Sequence, residues 1–504
     1  MNGEVLAFIL YFVVVLGIGI FFFFRSKGGG EKECFLGGRS MGPWVTAMSA
    51  QASDMSAWLL MGLPGSILAF GFGQVWIGIG LALGTIANWI FVAGRLRRFS
   101  KAANDSITLP QYLSNRFASK NHALQVICAL IFLIFFTVYV ASGFVAGTKV
   151  FVKVFPSLDS GIAMIIFAAI ILLYTFLGGF RAVCWTDFFQ GLLMLVALLA
   201  VPIMIVCTLN LDTSALSQVF THTASDGAVT QYAFTANLFS ASWTDILSGL
   251  AWGLGYFGMP HILVRFMSIK KPKMIKKSAT IAIVWVLLTL GATIAMAILG
   301  RMILGEKLLS QGAQDTVFIE FVRMLFPSFV AGILMSAIIA ASMSTADSQL
   351  LVASSSFTSD IYKPLIRKKA SDKEMLWVGR VVVLVVSIIA YFIASSKAQG
   401  AQAIMDLVEN AWAGFGSAFG PVVILSLFWR RITYKGAIAG VIGGAVVDVL
   451  WLLFLSKPTG IYELLPGFVA GVLCCVIGTW IDKEPSDEVT AIYDAATNVT
   501  TGDE

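Results

Sequence analysis

The sequence predicts an all-α, polytopic membrane protein, and three observations carry that expectation. Of 504 residues, 58% are hydrophobic and 12% are charged, half the charge of an ordinary soluble domain. The mean hydropathy is +0.86. Apolar runs recur along nearly the whole chain and give about thirteen transmembrane helices at roughly 20 residues per crossing. Together these exclude a disordered chain and an ordinary soluble enzyme. The 47 glycines and 39 phenylalanines fit helices packed closely in lipid.

The runs lie near 5–24, 44–70, 74–94, 123–148, 158–178, 184–207, 238–262, 278–300, 326–352, 376–395, 403–428, 434–455 and 465–481. The first has no basic leader and no obvious cleavage site, so a retained helix is expected rather than a signal peptide. Most of the 34 basic residues fall in alternate loops, at 25–39, 95–120, 181, 265–277, 363–380, 430–435 and 483. Lys149, Lys153, Arg301, Lys307, Arg323, Lys397 and Lys457 fall in the loops between, and 208–237 holds no Lys or Arg. The excess of positive charge marks the cytoplasmic side. It predicts an external amino terminus and a cytoplasmic carboxyl terminus.

With the first run set aside, runs two to six and seven to eleven form two sets of five. Five is odd, so the sets run in opposite senses across the membrane. Each set opens on an interrupted helix. The first interruption holds Ser49, Ser53, Asp54, Ser56, Gly62, Pro64 and Gly65, and the second Gly253, Gly255, Gly258 and Pro260. Paired interruptions in inverted halves point to a transporter binding site, because freed backbone survives at that depth only beside a ligand or a cavity. The expected organisation is a leading helix (1–30), a first set (40–210), a second set (235–428), two trailing helices (432–482) and a disordered, acidic cytoplasmic tail (484–504).

Few polar groups lie within the runs. Asp54 costs about 2.5–3.5 kcal/mol at that depth without a partner; it reads as a cation site or proton relay, or as a cap on a half-helix. Ala341, Ser344 and Thr345 share one helix face. They offer oxygen ligands to a hard monovalent cation, or hydroxyls bonded back to the preceding turn. Trp252 and Tyr256 sit one turn apart beside the second interruption, with Trp58 and Tyr139 as candidates to face them and supply cation–π contact. Asp347 and Gln349 suggest an inner mouth, and Asp347 reads equally as an interface residue. Asp187 reads as a structural cap paired to Arg181 or Arg39, and Asp448 as a buried hydrogen-bonded group.

Other classes find no support. The net charge of +6 is spread over short loops and indicates no nucleic-acid partner. The six cysteines form no CxxC pair, and with three histidines neither disulfides nor zinc are expected. Gly253-Leu-Gly-Tyr-Phe-Gly258 fits a dinucleotide-fold pattern but lies in a membrane run without a βαβ context. No Walker A sequence is present. Gly436, Gly440 and Gly444, like Gly416 and Gly420, form small-residue packing faces.

Leu36-Gly-Gly-Arg-Ser40, Ser49 through Gly65, Ala251 through His261, Ser344-Thr345 and Ala411 through Pro421 resemble the sodium/solute symporter family, and within it the proline-carrying branch. The resemblance runs from about residue 5 to 482. It implies the leucine-transporter type of fold, a 5+5 inverted repeat with one leading and two trailing helices. It implies a sodium-coupled symporter, not an enzyme, that imports L-proline across the plasma membrane, here a bacterial inner membrane, by alternating access. Sodium is the coupling ion, and no organic cofactor or obligatory protein partner is implied. By resemblance, sodium is bound by backbone oxygens of Ala52, Met55 and Ala341 and by the hydroxyls of Ser344 and Thr345. Asp54 and Arg39 are sodium-linked, and Ser56, Trp58, Gly62, Tyr139, Trp252, Tyr256 and Pro260 form the substrate pocket. Met259 stands where proline carriers usually have Gln, which leaves another small carboxylate or amino acid open as the substrate. A channel or a solute sensor is the alternative outside the family. A sensor is expected to need a signalling domain, and little chain follows Trp480.

Overall fold

The computed structural model describes residues 3–25, 30–177, 179–223, 229–397 and 403–498. Its membrane helices are α1 (Gly3–Arg25), α2 (Pro43–Met55), α3 (Gly62–Phe70), α4 (Val75–Ala102), α5 (Ala123–Val154), α6 (Ser160–Leu177) and α7 (Phe180–Thr208). After a hairpin of β1 (Phe220–Thr223) and β2 (Val229–Tyr232) come α8 (Trp243–Ala251), α9 (Pro260–Ser268), α10 (Met274–Ser310) and α11 (Ser328–Phe357). Then follow α12 (Asp372–Lys397), α13 (Ala403–Phe428), α14 (Tyr434–Phe454) and α15 (Leu464–Ile481). Among the described residues, 10 continuous helices are long and apolar enough to cross a membrane. The three remaining apolar runs behave differently. Run 158–178 forms the shorter α6, and runs 44–70 and 238–262 are each broken in two, as α2/α3 and α8/α9.

Burial sorts these helices into a core and a lipid-facing shell. Every residue from Val45 to Met55 in α2 is buried, as is every residue of α9. α11 and α13 are the most enclosed of the long helices, while α1 and α14 are the least. Outward-facing Val13, Val14 and Phe21 on α1, Leu384 and Phe392 on α12, and Leu453 on α14 remain exposed. Such surface is stable against lipid tails, which are as apolar as the side chains. Of the broken helices, α2, α3 and α9 are almost wholly buried at the centre, whereas α8 keeps Trp243 and Leu247 exposed.

The small-residue faces are contact surfaces. A Cβ at Gly440 would meet Cys475 Sγ, and one at Gly444 would meet the Ser417 carbonyl. α14 therefore lies directly on α15 and α13, the close approach that glycine permits in membranes. Asp448 on the same helix is buried and accepts a hydrogen bond from Ser417 Oγ at 2.9 Å.

The tail departs from expectation. Residues 487–497 form a helix, α16 (Asp487–Thr497). Composition hid it, because the tail is acidic on average. Val489, Ile492, Tyr493 and Ala496 recur at helical spacing, and the face they form packs on the end of α4. Tyr493 meets Phe99 edge to face at 5.3 Å, and Arg116 donates to the Val489 carbonyl at 3.1 Å. Arg430 forks onto Asp494 at 2.8 and 2.9 Å and holds that carboxyl below the usual carboxylate range. Residues 499–504 of the tail, and 26–29 of the leading segment, lie outside the described residues.

Gly444→Val should force α14 off α13 and lower stability by about 1–3 kcal/mol, the usual cost of overpacking, as a fall in the detergent unfolding midpoint. Gly291→Ala, with nothing within 4 Å of its added methyl, should change it by less than about 0.5 kcal/mol.

Candidate functional site

Each interruption follows from local chemistry. α2 ends because Ser56 takes φ 44° and ψ −175°, a conformation that costs an L-residue about 1–3 kcal/mol. Ser56 Oγ then accepts the Trp58 amide at 3.1 Å and starts a tight turn over Ala57–Leu59. At Gly62, where α3 begins, an added Cβ would lie 2.7 Å from the Trp58 ring. In the second interruption α8 gives way to a tight turn over Trp252–Phe257. Pro260 opens α9 at its first position, where a missing N–H removes no helical bond. Gly253 lies against the backbone of Gly80 and Gly84, with no room for a side chain.

The two interruptions face each other. Tyr256 Oη, from the second, donates to Asp54 Oδ2 at 2.6 Å. Trp58 and Trp252 stack, with centroids 5.3 Å apart and planes at 26°. Tyr139 on α5 donates to the Asp54 carbonyl at 3.2 Å. Tyr139, Trp252, Tyr256, Trp58, Ser56, Gly62 and Pro260 are all buried. The stack and the hydrogen bonds thus bring Trp58, Trp252, Tyr139 and Tyr256 together around the first interruption.

The serine–threonine face of α11 lies against the end of α2. Ser344 Oγ donates to the Ala52 carbonyl at 2.8 Å and approaches the Ala341 carbonyl at 3.2 Å. So the hydroxyl bonds its own helix and also reaches across to the broken one. Thr345 Oγ1 is buried and has no hydrogen-bond partner among the described residues. An unpaired buried hydroxyl costs about 1–3 kcal/mol. The donor set is neutral oxygen throughout, which suits a monovalent hard cation.

Three sequence expectations change. Asp187 pairs with neither Arg181 nor Arg39. It lies inside α7 and takes a hydrogen bond from Ser49 at 2.6 Å and an ion pair from Arg265 at 3.0 Å. Both charges are essentially solvent-free, at 1% and 0% side-chain exposure, so the guanidinium's further bonds to Ser348 and the His261 carbonyl are what make the pair tolerable. Arg181 instead meets Glu33 at 3.3 Å. Arg265 was grouped with a cytoplasmic loop by charge counting, yet it lies within α9. Asp347 and Gln349 are also fully buried, beside this pair rather than at an open mouth.

Arg39 lies away from the aromatic cluster. Its guanidinium binds Asp105 at 2.9 Å, the Ser106 carbonyl at 2.9 Å and the Met267 carbonyl near the end of α9. Burial raises the Asp105 carboxyl, but Lys32 and Arg39 outweigh it and hold it below the usual carboxylate range. Arg39 thus contacts the end of α9 opposite Pro260, and it also closely precedes α2 in the chain.

Trp412 falls within the Ala411–Pro421 motif, outside the residues expected at the site, yet the structure brings it there. Its Nε1 donates to the Trp252 carbonyl at 2.8 Å, and its ring meets Tyr256 edge-on at 5.0 Å. Met405, on the same helix, accepts Trp58 Nε1 at 2.8 Å. Trp412 and Met405 lie two turns apart on α13, a spacing that a buried helix shows whether or not it binds anything.

Residues 34–444 match the family model described as the sodium:solute symporter family. The chain is 44% identical over 495 residues to the sodium/proline symporter 2 of Staphylococcus saprophyticus, covering 96% of this chain and 93% of that one. It is 42% identical over 502 residues to the sodium/proline symporter of Haemophilus influenzae, covering 98% of each. Among solved structures it resembles a Na+-coupled sialic acid symporter in a substrate-bound outward-open state, with TM-score 0.71, 18% identity and 96% and 99% coverage. It also resembles Mhp1, a nucleobase-cation-symport-1 family transporter in a closed conformation, with TM-score 0.54, 15% identity and 92% and 98% coverage. These likenesses establish the transporter fold expected from the sequence.

Arg265→Met should destabilise the purified protein by about 3–5 kcal/mol, because Asp187 is left buried and unpaired. Adding Asp187→Leu should recover most of that loss in the same unfolding assay. Equal stability of Arg265→Met and the parent would mean that the pair is not closed.

Proposed function

Because the chain belongs to the sodium:solute symporter family, we propose that it is a sodium-coupled secondary transporter that carries L-proline across the plasma membrane by alternating access. The relatives named above are sodium/proline symporters aligned over nearly their full length. One arrangement in this chain supports the same reading. The α11 hydroxyl of Ser344 reaches the Ala52 carbonyl at the end of α2, beside the unpaired hydroxyl of Thr345.

In this reading sodium binds first, between α2 and α11. Its ligands are the backbone oxygens of Ala52, Met55 and Ala341 and the hydroxyls of Ser344 and Thr345. A cation there takes over the bond that Ser344 makes to Ala52. It also sets the shape of the turn at Ser56, because the two sites share the end of α2. The carboxylate of proline meets a half-helix start, where unpaired amides and the helix dipole favour an anion. Ser56, Gly62 and Pro260 border that position. The ring lies among Trp58, Trp252, Tyr139 and Tyr256. Asp54, held by Tyr256, links the sites: its carbonyl accepts from Tyr139, and it stands in the chain between the proposed ligands Ala52 and Met55. Arg39 acts at a distance, by holding the far end of α9. The basic loops, and the lack of Lys and Arg in 208–237, support an external amino terminus.

The driving force is sufficient. One charge moving with the membrane potential gains about 2.3 kcal/mol per 100 mV, and a tenfold sodium gradient adds about 1.4 kcal/mol. At one-to-one coupling this sustains proline accumulation on the order of several hundredfold.

A second substrate reading rests on Met259, which is fully buried in the turn before Pro260 and offers no amide to the pocket. Competition of proline uptake by other small amino acids and carboxylates separates the two.

Proteoliposomes holding the purified protein should accumulate labelled proline only when sodium is imposed on one side. Uptake independent of that gradient would identify a channel. Asp54→Asn should abolish sodium-driven uptake. Ser344→Ala and Thr345→Ala should each raise the sodium concentration for half-maximal uptake by about 5- to 30-fold, equivalent to one or two kcal/mol, with smaller effects on proline. An unchanged sodium dependence returns those hydroxyls to back-bonding. Trp58→Ala should raise the proline requirement first and leave the sodium requirement nearly unchanged.

A further inference from the structure

The aromatic stack at the site has a third ring that comes from outside both five-helix sets. Tyr462 lies in the turn between α14 and α15, and its ring packs on Trp252 with centroids 5.2 Å apart and planes at 26°. It is buried, with 4% exposure. Its backbone and side chain are tied to two different elements. The Tyr462 amide donates to Ser248 Oγ on α8 at 3.0 Å, and that hydroxyl approaches the Gly460 carbonyl at 3.3 Å. The Tyr462 hydroxyl donates to the Glu409 carbonyl on α13 at 2.8 Å. Trp451 braces the turn from behind, donating to the Ile461 carbonyl at 3.1 Å.

Beside this ring is a cavity of about 410 Å³, lined by Gln74, Asp245, Met405 and Glu409 and by the Trp252 and Tyr462 rings themselves. It belongs to the end of the bundle that carries the 208–237 loop, since Phe72, next to the lining residue Gly73, donates its amide to the Thr235 carbonyl at 3.0 Å. Past the two rings lie Trp58, Ser56 and the first interruption.

We propose that Tyr462 is a gate residue of the transport cycle: its ring closes the route from this cavity to the paired interruptions, and its hydroxyl latches the turn to α13. The proposal rests on the transport reading. The geometry sets how the gate works. Trp252 moves with the α8/α9 pair and the hydroxyl's acceptor moves with α13, so the ring is freed only when those elements part. The trailing hairpin is then a working part of the transporter, timed by the same separation that exposes the substrate site.

The test uses the full chain in proteoliposomes and a membrane-impermeant thiol reagent, read over the background of the native thiols. A cysteine at Ser56 reports behind the gate, and one at Ser66, in the cavity wall, reports in front of it. With Tyr462→Phe, which keeps the ring and removes the latch, Ser56→Cys should label about two- to tenfold faster, the size of one lost hydrogen bond. Ser66→Cys should label at its former rate. Passive proline efflux should rise in parallel in Tyr462→Phe. Tyr462→Ala, which removes the ring as well, should exceed both effects, and Tyr462→Trp should restore slow labelling in part. Identical labelling of Ser56→Cys with Tyr or Phe at 462 overturns the proposal, even if Tyr462→Ala fails to fold. The labelling needs neither sodium nor proline, so its failure is distinct from a failure of sodium-driven uptake.

Discussion

Backbone groups freed inside hydrocarbon must be satisfied by the protein, and that constraint organises this molecule. At the first interruption the carbonyls of Ala52, Asp54 and Leu59 accept bonds from Ser344, Tyr139 and Thr293. At the second, those of Trp252 and Tyr256 accept bonds from Trp412 and Asn88. The five donors sit on α11, α5, α10, α13 and α4. Two short gaps thus recruit most of the bundle, and the helices that supply the donors are the ones buried deepest. The bonds made by hydroxyls and amides are also exchangeable, so a cation or a substrate that offers better partners at these carbonyls shifts the packing of the helices that carry the donors.

The interruptions were legible in the sequence because glycine, proline, serine and aspartate have strong local consequences within apolar runs. The depth of Asp54 followed from its position in a run. Its partner did not: Tyr256 is 202 residues away, and a tyrosine beside a break looks the same whether it faces lipid or a carboxylate. Asp187 shows the complementary failure. A charge near the end of an apolar run reads as a loop charge, and Arg265 was grouped that way. The two close a buried pair across 78 residues, a match that neither local pattern contains. The tail misled through averaging, since four apolar residues at helical spacing carry α16 within an acidic segment. Trp412 and Tyr462 stayed invisible for another reason. Aromatics are common in membrane helices, and a ring gains meaning only from the ring it stacks on.

The strained Ser56 fits this view of the site. Its backbone holds a conformation that glycine would adopt more readily, yet the hydroxyl caps the turn at Trp58 and so fixes the first ring of the stack. A glycine would relax the chain and lose that cap. The site therefore trades backbone comfort for a defined orientation of Trp58, a common pattern where geometry matters more than local stability.

Inverted symmetry also explains three arginines that charge counting places in loops. A helix that ends within a protein leaves carbonyls unpaired and a partial negative charge at its terminus. Where α3 ends, Arg301 donates to the Leu68 and Ala69 carbonyls at 3.2 and 3.4 Å and continues to the Tyr232 carbonyl of the hairpin at 3.1 Å. Where α9 ends, Arg39 reaches the Met267 carbonyl, and Arg97 donates to the Ile269 carbonyl at 2.7 Å. The second half-helix of each pair, α3 and α9, is clasped by a buried guanidinium at its carboxyl end, and the two clasps lie at opposite ends of an inverted pair. The half-helices are thereby fixed at their outer ends and free of covalent helical continuity at the interruptions. The interruptions, which lack that helical continuity, are where ion and substrate are proposed to bind, and Arg39 is tied to the end of α9 opposite Pro260.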